Sequence, residues 1–182
     1  MTFEEAKKNA EDIIKNSKKR PLYRVIFSMA EAYNNTSKIA FDNIGILKNA
    51  DFAAPAIMCQ SFMIELLLKF FIITKYDIID YEQLPDKNEL NGHKYTDLFD
   101  KISEDNKSKI AEKFSKIVGK SMNKADFRNA LIEIGDEPFI KWRYIYEENG
   151  ISYMNPLLFN QISDSLGLSG LDLIKKIENV SV

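Results

Sequence analysis

The sequence has a single cysteine and a single histidine in 182 residues. One cysteine excludes a disulfide framework. Cys59 has Met58, Phe62 and Met63 around it, so it reads as a buried thiol in a reducing compartment rather than a nucleophile. One histidine, His93, excludes any mechanism that uses two imidazoles as acid and base, and no ligand-type spacing joins it to Cys59 and carboxylates in a zinc site. Neither a metal nor a cofactor is expected. Proline (5) and glycine (7) are scarce, which fits long helices better than many short strands joined by turns. Polar and apolar residues nowhere alternate long enough to name a strand. Repeats, low-complexity linkers, a Gly-rich phosphate loop and a Ser-His-Asp set are all missing.

Positive charge is not in excess either: 25 Lys and Arg stand against 27 Asp and Glu, a net charge of −2. A domain that wraps duplex nucleic acid mainly by charge shows a clear basic surplus. The only basic run, Lys18-Lys19-Arg20, reads as a solvated helix end or a local phosphate contact. Met1-Thr2-Phe3-Glu4-Glu5 lacks the charged-then-apolar layout of a signal peptide, so a cytoplasmic location is expected. Abundant Lys, Asn and Ile point to an AT-rich bacterial gene. What is present is ordinary globular material, 45% hydrophobic, 29% charged and 12% aromatic, enough for one helical domain over 1–182 with its own core.

The periodicity predicts an all-α fold. A first helix runs from Thr2 to about Lys18, with Thr2 and Glu5 as a capping box and Ala6, Ala10, Ile13 and Ile14 as its apolar stripe. A second spans Leu22 to about Lys48, with Asn34-Asn35-Thr36 as a weak point where it could kink. A third runs from Pro55 to Ile73, with Asp51 as its cap. After a polar connection, shorter helices are expected from Gly92-His93 to Ile102, from Ser103 to Ile117, and from Asp126 to Ile134. Asp136 is read as the cap of a helix carrying Phe139, Trp142, Arg143, Tyr144, Tyr146 and Glu147. Asn155-Pro156 starts a C-terminal helix to about Leu166, and Gly167 to Gly170 separates a last short one ending near Ile177.

The third helix is the centre of the molecule. Its only strongly polar residues are Gln60, Glu65 and Lys69, and a helix apolar on every side is either a membrane span or the middle of a bundle. Two charges near its midpoint would each cost about 2.5–3.5 kcal/mol in a bilayer, so burial in a protein core is favoured. Glu65 and Lys69 lie at i,i+4 in the favourable order, on the face that also carries Ser61, Ile72 and Tyr76. The pair is either a site carboxylate with its counter-ion or a structural ion pair tying helices together. His93, at a helix start after Gly92, can bond to backbone or to Glu65. Arg143, flanked by Trp142 and Tyr144, suits carboxylate or phosphate recognition, or a bond to Glu65 or Glu147. Glu65, Lys69, His93, Arg143, Tyr144 and Glu147 are the candidate polar cluster.

Three blocks in this order are similar to the HEPN superfamily of prokaryotic helical domains: Ser61-Phe62 through Glu65-Leu66-Leu67-Leu68-Lys69, then Gly92-His93 with Leu98-Phe99, then Trp142-Arg143-Tyr144-Ile145-Tyr146-Glu147. The resemblance covers roughly residues 22–148. It implies an up-and-down bundle of four or more helices, often dimeric, with an N-terminal helix over about 2–18 and C-terminal helices over about 155–178 as additions. It also implies links to RNA, nucleotide chemistry, toxin–antitoxin pairs and phage defence. Many members are metal-independent ribonucleases carrying Arg, four to six residues, then His. Here Arg128 is followed by Glu133, and Arg143 by Glu147, Glu148 and Asn149, with no histidine after either. Glu65, Lys69, His93 and Arg143 match positions of a branch that lacks the cleavage motif. The expectation is therefore a non-catalytic binding or dimerisation module with RNA or a nucleotide as ligand. Two alternatives stay open: an endoribonuclease with an altered centre built on His93 and Arg143, and a helical interaction protein of a mobile element with no role on RNA.

Overall fold

The fold was analysed in a computed structural model, which describes residues 2–16, 20–76, 78, 80–139 and 155–180. Among these residues the regular structure is entirely helical: α1 (Phe3–Asn16), α2 (Leu22–Leu47), α3 (Ala53–Ile73), α4 (Tyr95–Asp100), α5 (Glu104–Val118), α6 (Lys124–Glu133) and α7 (Pro156–Val180). The capping box of α1 forms as expected, with Glu5 N–H donating to Thr2 Oγ1 and Thr2 N–H to Glu5 Oε2.

Helix α3 is the axis. Ala56, Ile64, Leu68, Phe70, Ile72 and Ile73 have no exposed surface, and Ile57, Met63, Leu66, Leu67 and Phe71 are buried. The other helices pack around it: α2, α4 and α7 touch it directly, while α5 and α6 close the far side against α7 and α4. The stretch Ala50–Ile73 is long and apolar enough to cross a membrane, but 78% of its most apolar window is buried inside the protein. Its apolar surface is thus consumed by the chain's own packing. Phe27 and Phe70 pack at 5.1 Å between ring centres, and Phe114 meets Phe127 edge-on at 5.2 Å.

Four expectations are corrected. Helix α2 passes through Asn34-Asn35-Thr36 without a break. Thr36 turns its hydroxyl onto the Ala32 carbonyl, and Ser37, buried, donates to the Ala56 carbonyl of α3 at 2.8 Å, so tertiary contact overrides weak local propensity. Asp51 does not cap α3. Asn49 accepts from Asp51 N–H and opens a 3-10 turn, Ala50–Phe52, that runs straight into the helix. Asp136 also holds the start of α4: its carboxylate accepts from Thr96 N–H and from the Thr96 hydroxyl, each at 2.7 Å, while most of the helix that it was expected to cap lies outside the described residues. Cys59 is half-buried rather than fully enclosed, and burial raises its thiol pKa.

The fourth expectation, a break at Gly167 to Gly170, fails because the apolar stripe of α7 runs through it. Phe159, Ile162, Leu166 and Ile174 are all buried at helical spacing, and their packing outweighs the propensity cost of the two glycines, roughly 1 kcal/mol each. The two differ in purpose. A Cβ on Gly170 would stand 2.6 Å from Phe27 Cε2 and 3.3 Å from Phe70 Cε1, whereas one on Gly167 meets nothing within 4 Å. Gly170 is where α7 approaches the α2–α3 pair. Gly170→Ala is therefore expected to destabilise the protein by about 1–3 kcal/mol, by overpacking two locked rings. Gly167→Ala should stabilise it by about 0.5–1 kcal/mol. Urea denaturation of the two variants side by side checks the contrast, and equal effects would remove the close-approach explanation.

Candidate functional site

Glu65 sits near the middle of α3 with its carboxylate 1% exposed. A buried carboxylate is costly unless it is compensated. One turn on, Lys69 reaches back and donates from Nζ to Oε1 at 2.7 Å. The second partner arrives from a loop 28 residues later: His93 Nδ1 lies 3.1 Å from Oε1 and 3.0 Å from Oε2. An ionised carboxylate can only accept, so in this contact Nδ1 is the donor and Nε2 is the ring nitrogen that Glu65 does not engage. His93 is 48% exposed on the side-chain scale, so Glu65 is covered by Lys69 and His93 while the imidazole faces outward.

The loop that presents His93 is itself held. Gly92 takes φ +96, the left-handed region in which glycine has no Cβ penalty. Upstream, Lys101 Nζ donates to the carbonyls of Asn88, Glu89 and Asn91 at 3.3, 3.1 and 3.3 Å, pinning the segment just before His93. Downstream, Tyr95 N–H donates to the Asp136 carbonyl at 2.9 Å beside the Thr96 contacts already described. Tyr95 is fully buried and donates its hydroxyl to the Ser61 carbonyl at 2.6 Å, one turn before Glu65. Burial, and then the Glu65 charge, push its phenol well above the usual tyrosine range, so it stays a neutral donor.

Just beyond the end of α3, Tyr76 donates to Glu89 Oε2 at 2.7 Å and Lys75 to Oε1 at 2.9 Å. Ser61, Glu65 and Lys69 on one face of an otherwise apolar helix, with Tyr76 just past its end, therefore form a polar seam whose partners come from the 89–95 stretch. The seam is chemically conservative. It orients the imidazole, compensates one buried carboxylate and leaves His93 half-exposed at its surface.

Of the six residues read from the sequence, Glu65, Lys69 and His93 come together. Arg143, Tyr144 and Glu147 lie outside the described residues, as does Trp142. The described chain before them reaches Phe139, whose ring stacks on Phe62 at 5.0 Å, and Phe62 is three residues from Glu65. Arg128, the other arginine considered, is engaged by both oxygens of Asp100, from Nε at 3.0 Å and from Nη2 at 2.9 Å. Among the described residues, no group of three or more His, Cys, Asp or Glu is placed to hold a metal ion. No protein-family model, no curated protein and no solved structure matches the chain.

Sequence reasoning missed Glu89, Tyr95 and Lys101. Tyr95 left a signal, since a tyrosine two residues after the histidine, at a helix start, must place its hydroxyl somewhere if buried. Glu89 and Lys101 left none, because their partners are backbone and side chains brought close only by folding.

Two predictions follow from this geometry. Lys69→Met removes the ammonium from a buried carboxylate and is expected to cost about 2–4 kcal/mol, while the double variant Glu65→Leu/Lys69→Met recovers most of that loss. A double-mutant cycle in urea measures it, and additive losses would show that the pair is not coupled. For Glu89, burial alone would raise the carboxyl pKa, but the hydroxyl of Tyr76 and the ammonium of Lys75 outweigh it and hold the pKa below its ordinary 4.5. A depressed carboxyl pKa contributes stability above the unfolded value that is lost as the pH falls through the folded value. Glu89→Gln should accordingly be less stable than the parent at pH 7, with the gap closing below pH 4.5 in a series of thermal melts.

Proposed function

We propose that the chain is a non-catalytic, HEPN-like binding and dimerisation module of the bacterial cytoplasm, linked to RNA or nucleotide processes in stress or phage defence. The observation that carries this reading is the Glu65–His93 contact at 3.0 Å. It joins two of the three blocks that carry the resemblance, on α3 and just before α4, into one polar cluster. A carboxylate with both oxygens committed is not a free acid or base, and the chain offers no second histidine to complete a proton relay. Arg128, spent on Asp100, is not available as the arginine of a cleavage motif, and Glu133 after it instead accepts a bond from Asn155. The cluster then serves to hold the surface on which a partner or ligand rests.

One observation favours a second reading. Glu65 gripping Nδ1 leaves Nε2 of a half-exposed imidazole free to accept a proton, which is the orientation that a general base requires. That reading is an endoribonuclease using His93 with Arg143. A helical interaction protein of a mobile element, with no role on RNA, is the third.

The deciding experiment incubates purified protein with mixed structured RNA in EDTA, beside folded His93→Ala and Arg143→Ala variants, with light scattering on each. The expected result is intact RNA in every lane and a dimer for the parent protein. Cleavage that disappears in both variants would replace the binding module with the ribonuclease. A strict monomer that retains no RNA or nucleotide would leave the interaction protein.

A further inference from the structure

Away from the seam, a cleft of about 300 Å³ opens between α5 and α7. Phe71 of α3 lines its inner wall, six residues and roughly 120° round the helix from Glu65. Lys109, Lys113 and Lys116 line it from α5 and Lys176 from α7. Three of these lysines already hold a carboxylate. Lys109 binds Asp105, Lys113 binds Asp172 at 2.8 Å, and Lys116 binds Glu112 at 2.6 Å. Lys176 makes no ion pair among the described residues. Glu112 and Asp172 line the cleft and Asp105 stands behind Lys109, so four lysines face three acids and the charge of Lys176 is left over. The acids report the same field. Hydrogen bonds from Lys109, Lys113 and Lys116 respectively hold Asp105, Asp172 and Glu112 below their ordinary values, and the charges of Lys175, Lys176 and other lysines add to this.

The second observation is independent of charge. Ser169 lines the same cleft, is 6% exposed, and its hydroxyl has no hydrogen-bond partner among the described residues. Serines in a helix ordinarily settle by donating to the carbonyl four residues back. Ser163 does so to Phe159 at 2.9 Å and Ser165 to Gln161 at 2.6 Å on this same helix. Ser169 does not. An orphaned buried hydroxyl is a standing cost that an apolar residue would avoid, and a ligand that hydrogen-bonds to it would remove that cost.

We infer that the α5–α7 cleft binds a small, multiply charged oxyanion of the phosphate class. Lysines at four positions offer point charges and rotatable N–H donors suited to a tetrahedral anion, and Ser169 adds a neutral hydroxyl at the inner end. The volume exceeds what one phosphate group needs, and the apolar wall of Phe71 and Leu173 accommodates the body of a small ester. This site is shared between α5 and α7, apart from the Glu65–Lys69–His93 cluster, and it stands whether or not the seam binds RNA.

The test titrates the full chain at low salt with inorganic phosphate, pyrophosphate and glycerol 3-phosphate by calorimetry, separating free anions from an ester. Saturable binding of at least one is expected, and Lys176→Gln should weaken it about tenfold, as for loss of one charge-assisted hydrogen bond. Lys38→Gln, the same charge change on α2, should leave affinity within a factor of about two, since a distant exposed charge is screened. Ser169→Ala should raise the melting temperature yet lower the affinity, a combination that a purely structural serine cannot produce. No saturable heat with any probe overturns the inference, and so does equal weakening by Lys176→Gln and Lys38→Gln. Unchanged affinity in a stabilised Ser169→Ala protein overturns it too, because the hydroxyl would then be no part of the site.

Discussion

The structure depends on one constraint: α3 is buried along most of its length, from Gln60 to Ile73 above all. Once α2, α4 and α7 cover it, every polar atom on that helix needs a protein partner, because the desolvation cost has no other compensation. Gln60 finds Asn160 at 2.7 Å and Ser163 at 3.4 Å on α7, Ser61 accepts Tyr95 of α4 on its carbonyl, and Glu65 takes Lys69 and His93. The polar residues of α3 thus act as pins. Each is satisfied by a different neighbour, and each neighbour is satisfied only in one register. Hydrophobic burial supplies the stabilisation, and the sparse polar contacts select one arrangement among many packings of similar apolar area.

The presentation of His93 follows from the same logic at one remove. An exposed loop histidine is ordinarily mobile, since few contacts define it. Here a buried acceptor draws the ring inward, Lys101 gathers three carbonyls of the approaching chain, and the backbone and carboxylate of Asp136 fix the helix that follows. The six-residue α4 is too short to be stable by propensity, so it persists through its tertiary contacts: Tyr95, Thr96, Leu98 and Phe99 are all buried. Whatever the imidazole meets, it meets it from a held position.

Charge is distributed unevenly despite a net value of only −2. At the centre of the seam the Glu65 carboxylate is set against the Lys69 ammonium, with His93 as its second partner. The α5–α7 cleft is a surplus of lysines over acids around an unsatisfied hydroxyl. The two surfaces are served by different faces of α3 and by different outer helices, so a change at one need not propagate to the other.

The all-helical character, the burial of α3 and the i,i+4 pair were legible in the chain, because each is a local pattern: apolar residues recurring with helical period, or two charges one turn apart. The seam was half legible. Glu65 and Lys69 declare themselves against an apolar background, and His93 is conspicuous as the only histidine. Glu89, Tyr95 and Lys101 had no local signature, since what they bind is assembled from distant sequence. Local rules also misled where packing was stronger. Asn34-Asn35-Thr36 failed to break α2, and Gly167 and Gly170 failed to break α7. The orphaned hydroxyl of Ser169 is the extreme case, for a serine in a helix looks the same in sequence whether or not its carbonyl partner is taken. Periodicity along the chain determined which segments are helical and which face of each is apolar. Only the tertiary structure decided which polar atoms meet, because a partner's desolvation cost and geometry exist only once the helices have packed.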